Sequence, residues 1–409
     1  MNGFEKLKIQ NWRQFRSVSI DFHDRLTILT GANGAGKTTI LSILSRHFGW
    51  SIALIGTLKI TKKGARKYYS GVLDELTDSA VNNSHHIGTI GYGDGPDAQL
   101  EVPAEIGDSY NIEIRGQQQV DGIYITSHRP VYSYQKVENI PTDVQPEEEL
   151  FDQYLQNLRQ FYTPNARVQS PSHRIKTALI SLATFGPGNE FVRSNPHAVE
   201  TLLGFQKILK SILPSELGFR KIDIRPPDVI FECDTGDFPI DGASGGVAAL
   251  VDIAWQLFMK SRITDSFVAI IDEPENHLHP RLQRTVLPGL IDAFPNVQFI
   301  VATHNPFVVS SVEDSTVVVL DYVDDLVESQ LLQETDRSGS ANKILSDVLG
   351  VPVPIPLWVE ERIEEIVDRY ADGPISDETL AALRDEMIGV GLGRFFPTAL
   401  SRIAEDSDD

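Results

Sequence analysis

Of 409 residues a single one is cysteine, Cys233. That excludes an intrachain disulfide and a zinc cluster built on cysteine, and it fits a reducing cytoplasm. Long apolar runs are missing as well. Nowhere do about 18 apolar residues follow one another, so no helix is expected to span a membrane. The opening stretch MNGFEKLKIQNWRQF lacks the apolar core of a secretory signal. No internal repeat, low-complexity tract or sustained heptad pattern is present, which argues against a long coiled-coil arm. Positive charge is scarce: 36 basic residues stand against 57 acidic ones, for a formal net charge of -21. A broad nucleic-acid-binding surface is therefore disfavoured. A local basic groove stays open, because charge acts over only ~10 Å at moderate salt.

What is there suffices for one large core or two to three lobes, since 41% of the residues are hydrophobic. LKIQNW, VSIDF and RLTILTG alternate as strands, and GANGAGKTT then leads into the helical pattern ILSILSRHFGW. Residues 58–69 are basic and aromatic, and residues 87–127 read as short strands with turns. A mostly helical stretch covers 143–215, with loops at GPGNE and SNPH, before KIDIRPPDVIFECDTGDFPI returns to strand. A helix follows Ser244, then the strands VAIID and VQFIVA, and TVVVLDYVDDLVESQLL reads as a closing hairpin. The last 60 or so residues are helical and acidic, entered through VPVPIP. The expected divisions are 1–140, 141–225 (the helical insertion), 226–335 and 336–409.

Four stretches carry chemistry. GANGAGKT, Gly31 to Thr38, fits the G-x-x-x-x-G-K-[ST] phosphate loop. Gly31, Gly34 and Gly36 let the backbone wrap closely, so that its N–H groups face phosphate oxygens. Lys37 reaches the β- and γ-phosphates, the Thr38 hydroxyl ligates Mg²⁺, and the helix that begins here adds its positive end. Asn33, Gly34, Ala35, Gly36, Lys37, Thr38 and Thr39 are the candidate nucleotide-binding residues. In AIIDEPENHLHP a buried strand ends in two adjacent carboxylates, Asp272 and Glu273. Each alone would rather stay in water, unless a metal beside the phosphate loop offsets the desolvation. Asp272 then holds Mg²⁺ and Glu273 orients or deprotonates the attacking water. Successive residues in a strand point to opposite faces, so the chain must already be turning at Glu273 for both to face one ligand. VATHNP ends a third apolar strand in His304, a candidate γ-phosphate sensor, against the blander reading of a core histidine. Ser244, Gly245 and Gly246 in DGASGG open a helix whose free N–H groups suit an anion; taken alone they are an ordinary helix cap.

Together these four stretches resemble the ABC-type ATPase heads of the SMC, RecF and OLD-like group. The loop resembles Walker A, AIIDEPENHLHP Walker B with its D-loop, DGASGG a degenerate signature and VATHNP the His switch. LKIQNWRQFRSVSIDF resembles the family's opening, with Trp12 and Phe15 at its aromatic positions. DEPENHLHP and SANKILSDVLGVPVP are similar to bacterial AAA_15/AAA_21-type ATPases, among them Septu-type anti-phage defence ATPases. The resemblance covers most of residues 1–325. It implies an α/β P-loop NTPase fold: a mixed central sheet, an antiparallel β subdomain, an inserted helical lobe without a long coiled coil, and a small helical tail. It further implies ATP and Mg²⁺ as ligands, catalysis by Glu273, His304 and Lys37, and two heads that sandwich two ATP molecules. Ser244 and its glycines would then touch the γ-phosphate held by the other subunit of a homodimer or larger homo-oligomer. A separately encoded nuclease or effector is the implied partner, with DNA as a candidate and no membrane.

The departures are specific. GASGG stands in place of LSGGQ. Gln135 is a candidate Q-loop glutamine and Mg²⁺ ligand, ahead of Gln99. His128 and Arg129 either face the nucleotide or lie in a solvated loop. His277 and His279 form an H-x-H that reads as a D-loop feature ahead of a zinc site. Leu320 to Asp325, LDYVDD, superficially resembles a TOPRIM D-x-D, but a hairpin turn is favoured, because about 85 residues beyond it are too few for that domain. Lys59, Lys62, Lys63, Arg66 and Lys67 are either a phosphate-backbone contact or a solvated hairpin. Val359, Ile363, Ile366 and Tyr370 share one face of a tail helix that either packs on the head or binds a partner. The rival functions are a RecF-like repair ATPase at DNA ends or gaps, a transporter ATPase, and a binding module with a structural nucleotide.

Overall fold

Alternation and continuous apolar runs build two kinds of strand. In β1 (Phe4–Trp12) and β2 (Phe15–Asp21) buried and exposed residues alternate, as for a sheet with one covered face. In β3 (Leu26–Gly31), β15 (Phe267–Asp272) and β16 (Val297–Ala302) every residue is buried, as for parallel strands covered on both faces. The computed structural model describes residues 3–60, 64–73, 83–141, 144–161, 169–332, 357–371, 377–397 and 399–400. SANKILSDVLGVPVP, VPVPIP and the lysines Lys62 and Lys63 lie outside them.

Between β3 and β15 run β4 (Leu54–Ile55), β5 (Thr57–Ile60), β6 (Arg66–Tyr69), β7 (Ser84–Tyr92), β8 (Ala98–Pro103), β9 (Ser109–Tyr110), β10 (Glu113–Arg115), β11 (Gly122–Ile125), β12 (Phe219–Arg225), β13 (Asp228–Cys233) and β14 (Phe238–Pro239). After β16 come β17 (Thr316–Val323) and β18 (Leu326–Leu331). One mixed sheet has the order β10-β8-β7-β1-β2-β18-β17-β3-β16-β15-β11. β17, β3, β16, β15 and β11 are parallel neighbours. β10, β8, β7, β1 and β2 are antiparallel neighbours and continue the same sheet beyond β18. The register sets Asp272 beside Ala302 and Ala302 beside Leu29. The ends of three buried strands thus line up on one edge, where ligands bind in open parallel sheets.

Helix α1 (Lys37–Ser45) buries Ile40, Leu41 and Leu44 in a core shared with Leu29, Ile270, Ile300 and Leu320. The helical insertion consists of α2 (Glu147–Phe161), α3 (Pro171–Phe185) and α4 (Pro196–Ile212). α4 begins where SNPH requires: Asn195 accepts from the Ala198 N–H and Pro196 takes the first position. α5 (Gly245–Ile263) is buried from Val247 to Met259, as a central helix is, and packs against β11, α2 and α4. The short α6 (Pro280–Gln283), α7 (Val286–Ala293) and α8 (Pro306–Val309) follow. LDYVDD forms the β17–β18 hairpin, with Asp324 and Asp325 left-handed at its turn (φ 48° and 66°). No helix among the described residues is long and apolar enough to cross a membrane.

Contacts divide the chain into Met1–Ile344 and Leu345–Asp409. In the second unit, α9 (Leu357–Ala371) and α10 (Asp377–Gly389) form their own small core. Val359, Ile363 and Ile366 are covered there by Leu383 and Met387, with Tyr370 at the margin. The apolar face of the tail helix is therefore occupied inside its own unit.

Candidate functional site

The phosphate loop is held open by three left-handed glycines, Gly31, Gly34 and Gly36 (φ 133°, 84° and 95°). At Gly31 a Cβ would lie 2.1 Å from the Leu320 carbonyl oxygen of β17, and at Gly36 2.3 Å from the Phe15 ring. Phe15, fully buried against Trp12, thus backs the loop, which is the physical reason an opening aromatic hairpin accompanies it. Gly36 caps α1 without a side-chain hydrogen bond, so the helix presents bare N–H groups. Lys37 is buried, and its Nζ donates to the Gly31 and Ala32 carbonyls at 2.8 and 3.1 Å. Burial lowers its pKa, and Glu273, Asp272 and Glu275 oppose the shift. Asn33, Gly34 and Thr38 are exposed, Thr39 and Gly36 half-buried, and Ala35 buried.

The Thr38 hydroxyl donates to Asp272 Oδ2 at 3.0 Å, across 234 residues of sequence. Asp272 is 3% exposed. Burial raises its carboxyl pKa; the Thr38 hydrogen bond opposes the shift and Glu273 adds to it. Arg129 and Lys37 also act against the rise, and a cation beside Thr38 and Asp272 would add further countercharge; hydroxyl plus carboxylate oxygen is a donor set that suits Mg²⁺. The next residue, Glu273, is left-handed (φ 48°), and its N–H donates to the Ala302 carbonyl at 2.8 Å. That turn gives Glu273 two side-chain partners. Asn276 Nδ2 donates to Oε2 at 2.8 Å, and His304 Nδ1 lies 3.0 Å from Oε1. His304 is half-exposed and in direct contact with the acid.

Several groups here escaped sequence reasoning. Arg129, left open between nucleotide and solvent, is buried and donates to the carbonyls of Asp272 and Glu273 at 3.1 and 3.4 Å, while His128 is exposed. Asn276 also donates to the Ser127 carbonyl at 3.1 Å and so ties the acid to the segment after β11. Glu275 is 3% exposed and accepts from the Thr303 hydroxyl. Burial pushes its carboxyl up to about 7. For Glu275 and Asn276 the sequence signal is the density of polar residues in DEPENH after a buried strand, whereas Arg129 is marked only as a polar residue of SHRP with its partner unspecified.

The remaining candidates lie apart. Ser244 accepts from the Val247 N–H at the head of α5. A Cβ on Gly246 would lie 2.9 Å from the His277 carbonyl oxygen, so only glycine lets α5 approach the turn after the acid pair. His279 Nδ1 accepts from the Arg281 N–H and caps α6. Gln135 accepts from the Ser170 N–H at 3.0 Å, and none of its hydrogen bonds among the described residues goes to Thr38 or Asp272; the structure gives it to the helical insertion. Its carbonyl accepts from Lys176 Nζ at 2.9 Å. Lys176, wholly buried in α3, also pairs with Asp241 at 2.5 Å and Asp228 at 3.0 Å, three residues before Ser244 in the first case. Burial works against its charge, but the Asp241 and Asp228 bonds outweigh that and raise its pKa. Of the basic hairpin, Lys59 lies over the Tyr69 ring at 4.4 Å.

The model of the family AAA_21, "AAA domain, putative AbiEii toxin, Type IV TA system", matches residues 26–310. That of AAA_29, "P-loop containing region of AAA domain", matches residues 4–45. The chain is 24% identical over 344 residues to the Septu protein PtuA of Bacillus mycoides (strain KBAB4), covering 77% of this chain and 40% of that protein. It is 21% identical over 379 residues to the Septu protein PtuA of Bacillus thuringiensis, covering 87% and 86%. It is 30% identical over 131 residues to the retron Vc95 probable ATPase of Vibrio cholerae serotype O1 biovar El Tor, covering 30% and 25%. The chain thus spans well under half the length of the first and third of these relatives.

Proposed function

Because the chain belongs to the AAA_21 family of P-loop ATPase domains, we propose that it is an ATP-hydrolysing switch of a bacterial anti-phage defence system, with two heads that close around two ATP molecules. The defence setting rests on the similarity to Septu and retron proteins. The observation that carries the chemistry is Glu273, turned left-handed beside the Thr38–Asp272 pair with both carboxylate oxygens engaged. Asn276 and His304 orient it, and Arg129 fixes the backbone on which it and Asp272 sit. Thr38 and Asp272 would hold Mg²⁺, which when bound offsets charge on the transferring phosphoryl group. Glu273 takes a proton from the water whose oxygen attacks the γ-phosphorus, as the bond to the bridging oxygen breaks and ADP leaves. His304, in contact with Glu273, senses whether the γ-phosphate is still attached. Ser244, Gly245 and Gly246 stand at the head of α5 and complete the site of a second copy. Opening and closing of the pair would gate a separate effector, a nuclease being the class expected.

Glu273→Gln tests this. It keeps shape and hydrogen bonding and removes the base, worth about 10²- to 10⁴-fold in rate. The expected result is lost turnover with an ATP-bound dimer accumulating by native mass measurement. Hydrolysis at the native rate would end the assignment of Glu273. A second reading, a RecF-like ATPase that binds DNA, is favoured by the exposed β5–β6 hairpin with Lys59 stacked on Tyr69. It requires that duplex ends or gaps raise the hydrolysis rate, and that Lys59→Glu abolish the rise.

A further inference from the structure

Glu275 is the least expected group in the cluster. It is a carboxyl 3% exposed, and one of its oxygens, Oε2, is buried with no hydrogen-bond partner among the described residues. A half-satisfied buried carboxyl lowers stability, and a purely structural position would be served better by a residue without the second oxygen. What it does hold is specific. Oε1 accepts from the hydroxyl of Thr303, a residue with no exposure, whose N–H donates to the Leu29 carbonyl at 3.0 Å. The same hydroxyl accepts from the Asn305 N–H at 2.9 Å. Asn305 in turn caps α8 and donates to Gln283 Oε1 at 2.8 Å. Thr303 and Asn305 flank His304, so both neighbours of that histidine are fixed from Glu275. At its other end Glu275 is two residues from Glu273, the acid His304 meets. The carboxyl also lies within electrostatic reach of Lys37, Glu273 and His304.

We propose that Glu275 is a positioning residue for ATP hydrolysis: through Thr303 it sets the loop that carries His304 at the separation from Glu273 at which the two side chains meet. The inference rests on the reading of Glu273 and His304 given above. Its working element is one hydrogen bond between the turn after β15 and the end of β16. It acts on the geometry of the reacting groups and not on the grip of the phosphate loop on nucleotide.

The test uses the full chain and measures kcat, KM for ATP and the melting temperature. Glu275→Leu and Thr303→Val each remove the bond and are expected to lower kcat between about 10- and 100-fold, the range of a small misplacement, with KM nearly unchanged. Their combination is expected to be no slower than the worse single variant, because both delete the same link. Glu275→Gln keeps an acceptor for Thr303, and Thr303→Ser keeps the hydroxyl while losing a buried methyl group. Both are expected to hold kcat near the native value, the latter even where its melting temperature falls. That split separates positioning from mere packing, and it stays readable if Glu275→Leu fails to fold. The proposal is overturned if the two deleting variants multiply, if Thr303→Ser slows as much as Thr303→Val, or if Glu275→Gln is as slow as Glu275→Leu. Glu273→Gln, run alongside, isolates the premise: full turnover there refutes the base, whereas its loss with native rates in all Glu275 and Thr303 variants refutes only this inference.

Discussion

Lys176→Met is the substitution with the clearest energetic consequence. Lys176 has no exposed side-chain surface, Asp241 has 1% and Asp228 23%. One ammonium serves both carboxylates and the Gln135 carbonyl. Asp241 Oδ1 already lacks a hydrogen-bond partner among the described residues. Methionine fills much the same volume, so packing survives while Asp241 is left buried without its cation. Breaking one side of a buried pair costs about 3–5 kcal/mol. A ceiling follows independently, since the stranded carboxylate can instead take up a proton. At pH 7 that costs roughly 1.4 kcal/mol for each of the about three units above an ordinary aspartate pKa, about 4 kcal/mol in all. At pH 5 the same ceiling drops to about 1.5 kcal/mol. Urea unfolding of Lys176→Met at both pH values is the assay. A loss of about 3–4 kcal/mol at pH 7 that shrinks by half or more at pH 5 is expected, and adding Asp241→Asn should recover most of it. A variant as stable as the native chain at pH 7, or one equally damaged at both pH values, would refute the reasoning.

Two further outcomes follow from other parts of the fold. Gly31→Ala places a methyl group 2.1 Å from the Leu320 carbonyl oxygen at a φ that L-residues rarely adopt, so calorimetric titration should find ATP binding lost together with a lower melting temperature. Glu275 should make the protein less stable as pH rises from about 4.5 to about 7, because burial raises its carboxyl from 4.5 to about 7 and the folded state then binds more protons than the unfolded one. The effect is up to about 3 kcal/mol. Glu275→Gln should flatten that slope in urea midpoints taken across the range, and an unchanged slope would exclude Glu275 as its source.

The strands that carry the site were legible because their signals are local. A run of four or five apolar residues ending at Asp272 or Thr303–His304 needs no knowledge of the rest of the chain, and three glycines in six residues after strand residues 26–30 have few uses other than a tight loop. Partnerships were not legible. Arg129 reaches acid-pair carbonyls 143 and 144 residues away, and Thr303 finds Glu275 only because β15 and β16 are neighbours in register. Periodicity identified the apolar face of α9 but not what covers it, since a face carries no address for its partner. Gln135 was chosen for its type and order alone, and Lys176, which decides where that segment goes, gave no signal beyond one lysine in an apolar helix. The continuous sheet was hidden for the same reason: β18 lies parallel to β2 across 312 residues or so, a pairing that neither strand announces.

Glu273 has a further consequence, for how this sequence can drift. A left-handed φ of 48° costs an L-residue about 1–2 kcal/mol, and glycine or asparagine occupies it with less strain. The most comfortable residues at this position are therefore ones that cannot act as a base. With Glu273 as the base proposed above, selection for thermostability alone would carry the chain towards an inert protein with the same fold, and a demand for turnover, not nucleotide binding by itself, would be what holds a glutamate at this strained position.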